Sequence, residues 1–367
     1  MVTCTFGLES ILKKEIQNLG YKSLYVYDGK IEFEATLADI PRLNIHLRVA
    51  DRVLLKLAQY PASDFDELFD SAENISWEDW IPLDAKITVK GKSVKSKLQS
   101  VRTCQSMIKK TIIKCLQGKY KVDWLSEEGF EYVVQIALFK DVATLTLDTT
   151  GQGLNKRGYR VSVGEAPIRE NLAAALVLLS SWNKDQALID PMCGSGTILI
   201  ESAMIARNIA PGLNRTFAAE DWPLIDKTIW EDARDAAKMA ILPEGILNIK
   251  GFDKDKECIK DCFSNAKKCG VDRDIVFECR DIKDLNIDDK QGVVITNPPY
   301  GIHVGKKRDL PFLYDTINKV FESKRNWALY LLTSDKMFPK TFKRARPNKI
   351  RKLFNGTIEV HYYQYYN

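Results

Sequence analysis

Asp190-Pro191-Met192-Cys193-Gly194-Ser195-Gly196-Thr197 follows the short apolar run Ala187-Leu188-Ile189 and opens a helical stretch that reaches Arg207. A buried strand, a glycine turn and a helix in that order are the first unit of an open α/β sheet. Gly194 and Gly196 let the backbone turn tightly and approach a ligand with no Cβ in the way. The loop is not built for phosphate: no Lys follows Gly196, and position 199 is Leu, so neither glycine-rich phosphate pattern is met. Taken alone, a plain strand-to-helix turn would also account for it.

Further strand ends sharpen the reading. From about residue 166 helices alternate with short apolar segments. Helices are expected at Ile168–Ser181, Thr197–Arg207, Lys256–Lys268 and Leu313–Phe321, and strands at Ala187–Ile189, Ile246–Ile249, Ile275–Phe277, Val293–Ile295 and Trp327–Leu332. This alternation argues a parallel sheet covered on both faces. Glu220 to Pro243 interrupts it as a Trp-rich insertion. Asp253 stands after Ile249-Lys250-Gly251-Phe252, Asp281 after the next apolar segment, and Asn297 after Val293-Val294-Ile295. Each lies where open α/β sheets bind ligands, and an acid after the second strand suits two ribose hydroxyls. A surface charge or a helix cap is the bland reading of any one of them. Together they suit a nucleoside-bearing cofactor, with Asp281 accepting from an adenine amine.

Asn297-Pro298-Pro299-Tyr300 adds the chemistry. The two prolines fix their own φ and remove two N–H donors, so their carbonyls stand unquenched. Asn297 brings another carbonyl acceptor, and Tyr300 a flat face for stacking, although a buried core aromatic is the plainer role for that ring. Such a cup fits an aromatic amine.

Residues 1 to about 65 read as a small α+β unit, with a helix over Leu8–Leu19, a hairpin at Asp28-Gly29 and a second helix over Asp39–Lys56. Residues 66–150 alternate strand and helix: strand Lys86–Val89, helix Val101–Cys115, strands Tyr132–Leu138 and Val142–Leu147. The polar, Gly-rich Asp148–Gly153 is a natural boundary. Net charge is only +5, but residues 85–121 hold eleven basic residues and no acid. A solvated face normally mixes signs, so this stretch reads as a footprint for a polyanion, with Lys90, Lys92, Lys95, Lys97, Arg102, Lys109 and Lys110 as candidate RNA contacts. A second, shorter run spans Lys340, Lys343, Arg344, Arg346, Lys349, Arg351 and Lys352.

No apolar run approaches the roughly 20 residues that span a bilayer, and the N-terminus lacks the pattern of a signal peptide. The eight cysteines form no C-x-x-C pair and none of the three histidines lies near Cys258, Cys262 and Cys269. A reduced, cytoplasmic protein without a metal or membrane partner is expected.

The segment 190–197 with Asp253, Asp281 and Asn297-Pro298-Pro299-Tyr300 resembles class I S-adenosylmethionine methyltransferases that modify amino groups. The string from Asp190 to Ala206, with Gly153–Arg160, Ala166–Glu170, Arg351–Gly356 and Thr5–Glu9, is similar to the bacterial THUMP-containing 23S rRNA guanine-N2 methyltransferases of the RlmL/YpsC type, over nearly the whole chain. The resemblance implies a ferredoxin-like segment at 1–65, a THUMP RNA-binding domain at 66–150, a linker at 151–165 and a Rossmann-like, seven-stranded methyltransferase domain at 166–367. It implies S-adenosylmethionine held by Asp190, Met192, Gly194, Ser195, Gly196, Thr197, Asp253, Asp281, Ile282 and Asn297. Asn297, Pro298, Pro299 and Tyr300 would be catalytic, and Arg157 and Arg160 would join the RNA contacts. Two departures stand out. Position 155 is Asn where the motif suggests His, and a second methyltransferase domain fused in some members is not expected here. The same chemistry on tRNA, methylation of a protein glutamine amide, and a non-catalytic RNA-binding or ribosome assembly factor stay open at this point.

Overall fold

The computed structural model describes residues 1–161, 167–245, 247–299, 309–322, 324, 326–342 and 346–366. Tyr300, Ala166 and the Lys343-Arg344 pair lie outside them.

The first half folds around one seven-stranded sheet in the order β2-β3-β1-β4-β7-β6-β5. Its strands are β1 (Val2–Cys4), β2 (Tyr25–Tyr27), β3 (Lys30–Glu32), β4 (Ala50–Pro61), β5 (Lys86–Val94), β6 (Glu131–Phe139) and β7 (Val142–Asp148). Helices α1 (Glu9–Asn18), α2 (Asp39–His46), α3 (Phe65–Glu73) and α4 (Val101–Tyr120) cover it. The sheet is antiparallel except for the pair β5–β6.

β4 corrects the sequence reading. The helix expected over Asp39–Lys56 stops at His46, and residues from Ala50 form a twelve-residue strand. The Glu15 carboxylate accepts from the N–H groups of Arg48 and Val49 and takes donors that a continuing helix would need. β-Branched Val49 and Val53 then favour extended backbone. β4 is shared: Ala50, Arg52 and Val53 pair with β1, and Leu54–Pro61 pair with β7.

The second half holds a seven-stranded sheet in the order β10-β9-β8-β11-β12-β14-β13. β8 (Ala187–Asp190), β9 (Ile249–Asp253), β10 (Ile275–Cys279), β11 (Gly292–Thr296) and β12 (Trp327–Thr333) are parallel. β13 (Lys349–Asn355) and β14 (Ile358–Tyr365) close the edge antiparallel, two strands beyond those expected from the sequence. The second parallel strand begins at Ile249, not before it. Helices α5 (Glu170–Leu179), α6 (Thr197–Ala206), α8 (Lys256–Cys269), α9 (Leu310–Glu322) and the short α10 (Phe338–Thr341) complete the layers. α6 is buried almost all round, as its unbroken apolar sequence requires.

The insertion at 220–243 is a docking element. It carries α7 (Lys227–Met239), whose amphipathic face buries Trp230 and packs on α2. Trp222 stacks on Tyr132 of β6 with ring centroids 4.7 Å apart, and Phe217 stacks on Trp230. A Cβ on Gly212 would stand 2.7 Å from the Asn44 carbonyl, so only glycine admits this approach. A buried polar seam continues the contact: Arg48 donates to the Ile209 carbonyl (2.6 Å), and Asn44 bridges the hydroxyls of Thr149 and Thr150.

Candidate active site

Strand order reverses at β8, with β9 on one side and β11 on the other. Ligands bind open sheets at the carboxyl ends of strands beside such a switch point. Asp190 ends β8, Asp253 ends β9, and Asn297 follows β11. Thr296, fully buried, donates its hydroxyl to Asp190 Oδ1 at 2.8 Å and ties the mouths of the two central strands together. Asn297 and Pro299 are half-buried and Pro298 is buried.

The glycine loop is held from beneath. The Cys193 N–H donates to the Phe252 carbonyl (2.9 Å), and the Gly194 N–H to Asp253 Oδ2 (2.9 Å). From α8, Asn265 Nδ2 donates to the Ser195 carbonyl (3.1 Å) and the Cys262 thiol to the Gly194 carbonyl (3.0 Å). Gly196 has φ +79°, and a Cβ there would stand 3.1 Å from Cys262 Sγ and 3.2 Å from the Phe277 ring. Gly194 has φ +53°, and a Cβ there would meet nothing within 4 Å. The loop is therefore braced on its inner side and open at Gly194. That open face, the backbone beside it and the Asp253 carboxylate fit a nucleoside cofactor.

The other candidates divide. Met192 donates its N–H to Asp190 Oδ1 (3.1 Å), so Asp190 shapes the loop from within. Thr197 is buried, with its Oγ1 3.1 Å from Arg160 Nη2 and 3.3 Å from Ser195 Oγ. Asp281 caps a short 3-10 turn by accepting from the Lys283 N–H (3.1 Å), and Ile282 beside it is buried. Sequence reasoning missed Thr296, Asn265 and Cys262. The first two had a signal: a polar residue ending an apolar strand, and an Asn on the apolar stripe of α8.

Burial pushes the Asp190 carboxyl up to about 7, against the opposing hydrogen bonds from Thr296 and Met192 and helped by the nearby Asp253 charge. The neutral acid is thus favoured by folding. The stability this group contributes is full below its ordinary carboxylate range and is lost as pH rises toward 7. Asp190→Asn should flatten the loss of thermal stability between about pH 4 and pH 7, measured as Tm across that range.

Two RNA candidates are corrected. Arg157 is 3% exposed, and its guanidinium serves Glu201 (Nε–Oε1 3.4 Å) and the carbonyls of Leu154 and Arg48. Arg160 is committed to Glu170, the Ile168 carbonyl and Thr197. Both hold the entry to the second half in place: Arg157 is buried, and the one Arg160 nitrogen without a hydrogen-bond partner among the described residues, Nη1, is buried as well. Lys109 sits 2.7 Å from Glu127, and Lys114 and Lys119 also meet acids, Glu73 and Glu78, from outside the basic window. Lys90, Lys92, Lys95, Lys97, Arg102 and Lys110 are exposed. An open depression of about 620 Å³ at the end of β5 is lined by Ser93, Lys95, Ser96, Lys97, Gln99 and Asp141.

The family model described as "RMKL-like, methyltransferase domain" matches residues 157–364, more than half of the chain. The chain belongs to the RMKL-like methyltransferases. The RlmL ferredoxin-like domain matches residues 1–54 and the THUMP domain residues 62–148. The chain is 43% identical to the putative RNA methyltransferase YpsC of Bacillus subtilis, covering all of this chain and 95% of that protein. It is 30% identical to the ribosomal RNA large subunit methyltransferase K/L of a Marinomonas species, covering 99% of this chain and 52% of the relative; the chain spans about half the length of such K/L proteins. A crystal structure of SMU.472, a putative methyltransferase complexed with S-adenosylhomocysteine, superposes with TM-score 0.93 at 38% identity, covering 100% of this chain and 97% of the other. The RMKL-like proteins are S-adenosylmethionine-dependent methyltransferases with a Rossmann-like catalytic fold, here preceded by a THUMP domain. Among the described residues no helix is long and apolar enough to cross a membrane.

Proposed function

We propose that the chain methylates the exocyclic N2 amine of a guanine in RNA, with 23S rRNA as substrate, in the cytoplasm. The observation that carries this reading is the position of Asn297-Pro298 at the mouth of β11, hydrogen-bonded through Thr296 to the strand that ends in the glycine loop. The names of the K/L relatives and of YpsC support an RNA substrate. The proposed division of labour is a ferredoxin-like segment at 1–65, a THUMP domain at 66–150, a linker at 151–165 and the catalytic domain at 166–367.

S-adenosylmethionine supplies an electrophilic methyl group on its sulfonium when bound. Gly194, Ser195 and Gly196 would lie against it, Asp253 would accept from its ribose, and Asp281 and Ile282 would border its adenine. An aromatic amine is a weak nucleophile because its lone pair is delocalised into the ring. Asn297 Oδ1 and the Pro298 carbonyl would accept its two N–H bonds, return electron density to nitrogen and fix its direction of attack; as the N–CH3 bond forms the S–CH3 bond breaks, the thioether S-adenosylhomocysteine leaves, and one of the two held N–H protons passes to water. The stacking of the base, once it has left its helix or loop, is the role proposed for Tyr300, which lies outside the described residues.

Nucleoside mass spectrometry of 23S rRNA and tRNA from a strain lacking the protein tests this reading. Loss of N2-methylguanine from 23S rRNA is expected; an unchanged rRNA profile with loss from tRNA would move the substrate, and no loss from either would end the proposal. The basic stretch has its own test. Replacing Lys90, Lys92, Lys95 and Lys97 together with Ala should flatten the salt dependence of RNA binding by about three to four units of slope. A slope equal to that of the unaltered protein would make these lysines an ordinary solvated face.

A further inference from the structure

Three motifs that the catalytic account leaves unused meet at one corner. Phe6 and Phe354 lie edge to face with ring centroids 6.3 Å apart, and Lys352 Nζ stands 5.5 Å from the Phe354 ring. Gly7 (φ +93°) brings the first segment down on β13: a Cβ there would stand 2.8 Å from the Lys352 carbonyl oxygen. Asn355 accepts from the Arg169 N–H (3.2 Å) and donates to the Pro167 carbonyl (3.4 Å), locking the start of α5 to the same strand. The Arg169 guanidinium lies over the β13–β14 turn, where a Cβ on Gly356 (φ +67°) would stand 3.3 Å from Nη2.

The corner faces the catalytic edge. His361 of β14 pairs with both Thr333 of β12 and Lys352 of β13, so Lys352 is level with the carboxyl end of β12. Phe354 extends beyond it, on the side where Asn297 sits. β13 is three strands from β11, a lateral distance of about 14 Å. Phe6 is 50% exposed, Phe354 is half-buried and Arg169 is exposed. Lys352 shares its charge with Glu359 at 2.6 Å, so the cation this corner offers to a phosphate is that of Arg169.

We propose that Phe6, Phe354 and Arg169, with Lys352, form a stacking corner that takes a nucleotide of single-stranded RNA close to the base being methylated. It rests on the RNA-methyltransferase reading above. Aromatic faces with a guanidinium beside them hold bases without regard to sequence, through stacking and phosphate contact. Because Phe6 belongs to the first half and Phe354 and Arg169 to the second, the corner bridges the seam that an RNA bound to both halves must cross.

The test is binding of protein-free large-subunit rRNA to the full chain carrying Phe6→Leu and Phe354→Leu, with S-adenosylhomocysteine titration as a control for folding. The rRNA Kd should rise about tenfold or more, with cofactor affinity unchanged; Phe354→Tyr should keep full affinity. Arg169→Gln, which leaves the rings in place, should lower the salt slope by about one unit. An unchanged Kd and slope in a protein that still methylates rRNA would overturn the corner while leaving the enzyme reading intact. Loss of binding to ribosomal particles alone, with protein-free rRNA held normally, would assign the corner to a protein and overturn it too. If the unaltered chain transfers methyl groups to no RNA, both ideas fall.

Discussion

Asn297→Ala should lower methyl transfer by about 10²–10³ while leaving cofactor affinity unchanged, the magnitude seen when an oriented polar group is lost from a reacting centre. The separation follows from the architecture. The glycine loop is braced by hydrogen bonds with Asn265, Cys262 and Asp253, and residue 297 is a partner in none of these three bonds. The strand mouth is set by Thr296 and Asp190. Truncation at 297 therefore removes one acceptor for the amine and leaves the cofactor cradle in place. Single-turnover methylation of rRNA beside calorimetric titration with S-adenosylmethionine reads the two quantities apart. Unimpaired turnover would remove Asn297 from the chemistry.

Arg157→Met should cost about 3–5 kcal/mol of stability, the expected result of removing one partner from a buried ion pair. Glu201 is fully buried; Oε1 meets Arg157 and the Tyr159 hydroxyl, and Oε2 has no hydrogen-bond partner. Without the guanidinium its one remaining hydrogen-bond donor is the Tyr159 phenol, and the buried Arg48 charge acts on it only through space. The Arg48 and Leu154 carbonyls lose their donor as well. Denaturant midpoints measure the loss, and Glu201→Gln added to Arg157→Met should recover part of it. An RNA-contact role predicts the opposite pattern: unchanged stability and a salt slope lower by about one unit.

These two residues show where the sequence was readable. Parallel strands buried on both faces leave unbroken apolar runs, so the residue after each run marks the ligand edge; Asp190, Asp253 and Asn297 stand there by position alone. Burial of a charge leaves no such trace. Arg157 sits in a basic, Gly-rich motif and reads as a surface cation until Glu201 closes on it. β4 escaped for a related reason: the carboxylate that stops α2 belongs to Glu15, on another helix. The acid-free lysine window was also less basic than it looked. Glu73, Glu78 and Glu127 lie outside it in sequence and beside it in space. Asp281 also takes the plainer role of an acid after a strand, since its Oδ1 caps a turn.

The stacked Trp222–Tyr132 pair, α7 against α2, and the Arg48–Ile209 bond grip the two sheets in separate places. A catalytic fragment cut free at the polar boundary near residue 150 would bare the Trp222 indole to solvent and leave the Ile209 carbonyl without its Arg48 donor. Neither half is a module to be borrowed. On heating, the chain should come apart as one cooperative body, so damage to the footing of the lysine-bearing half will be felt at the methylation centre.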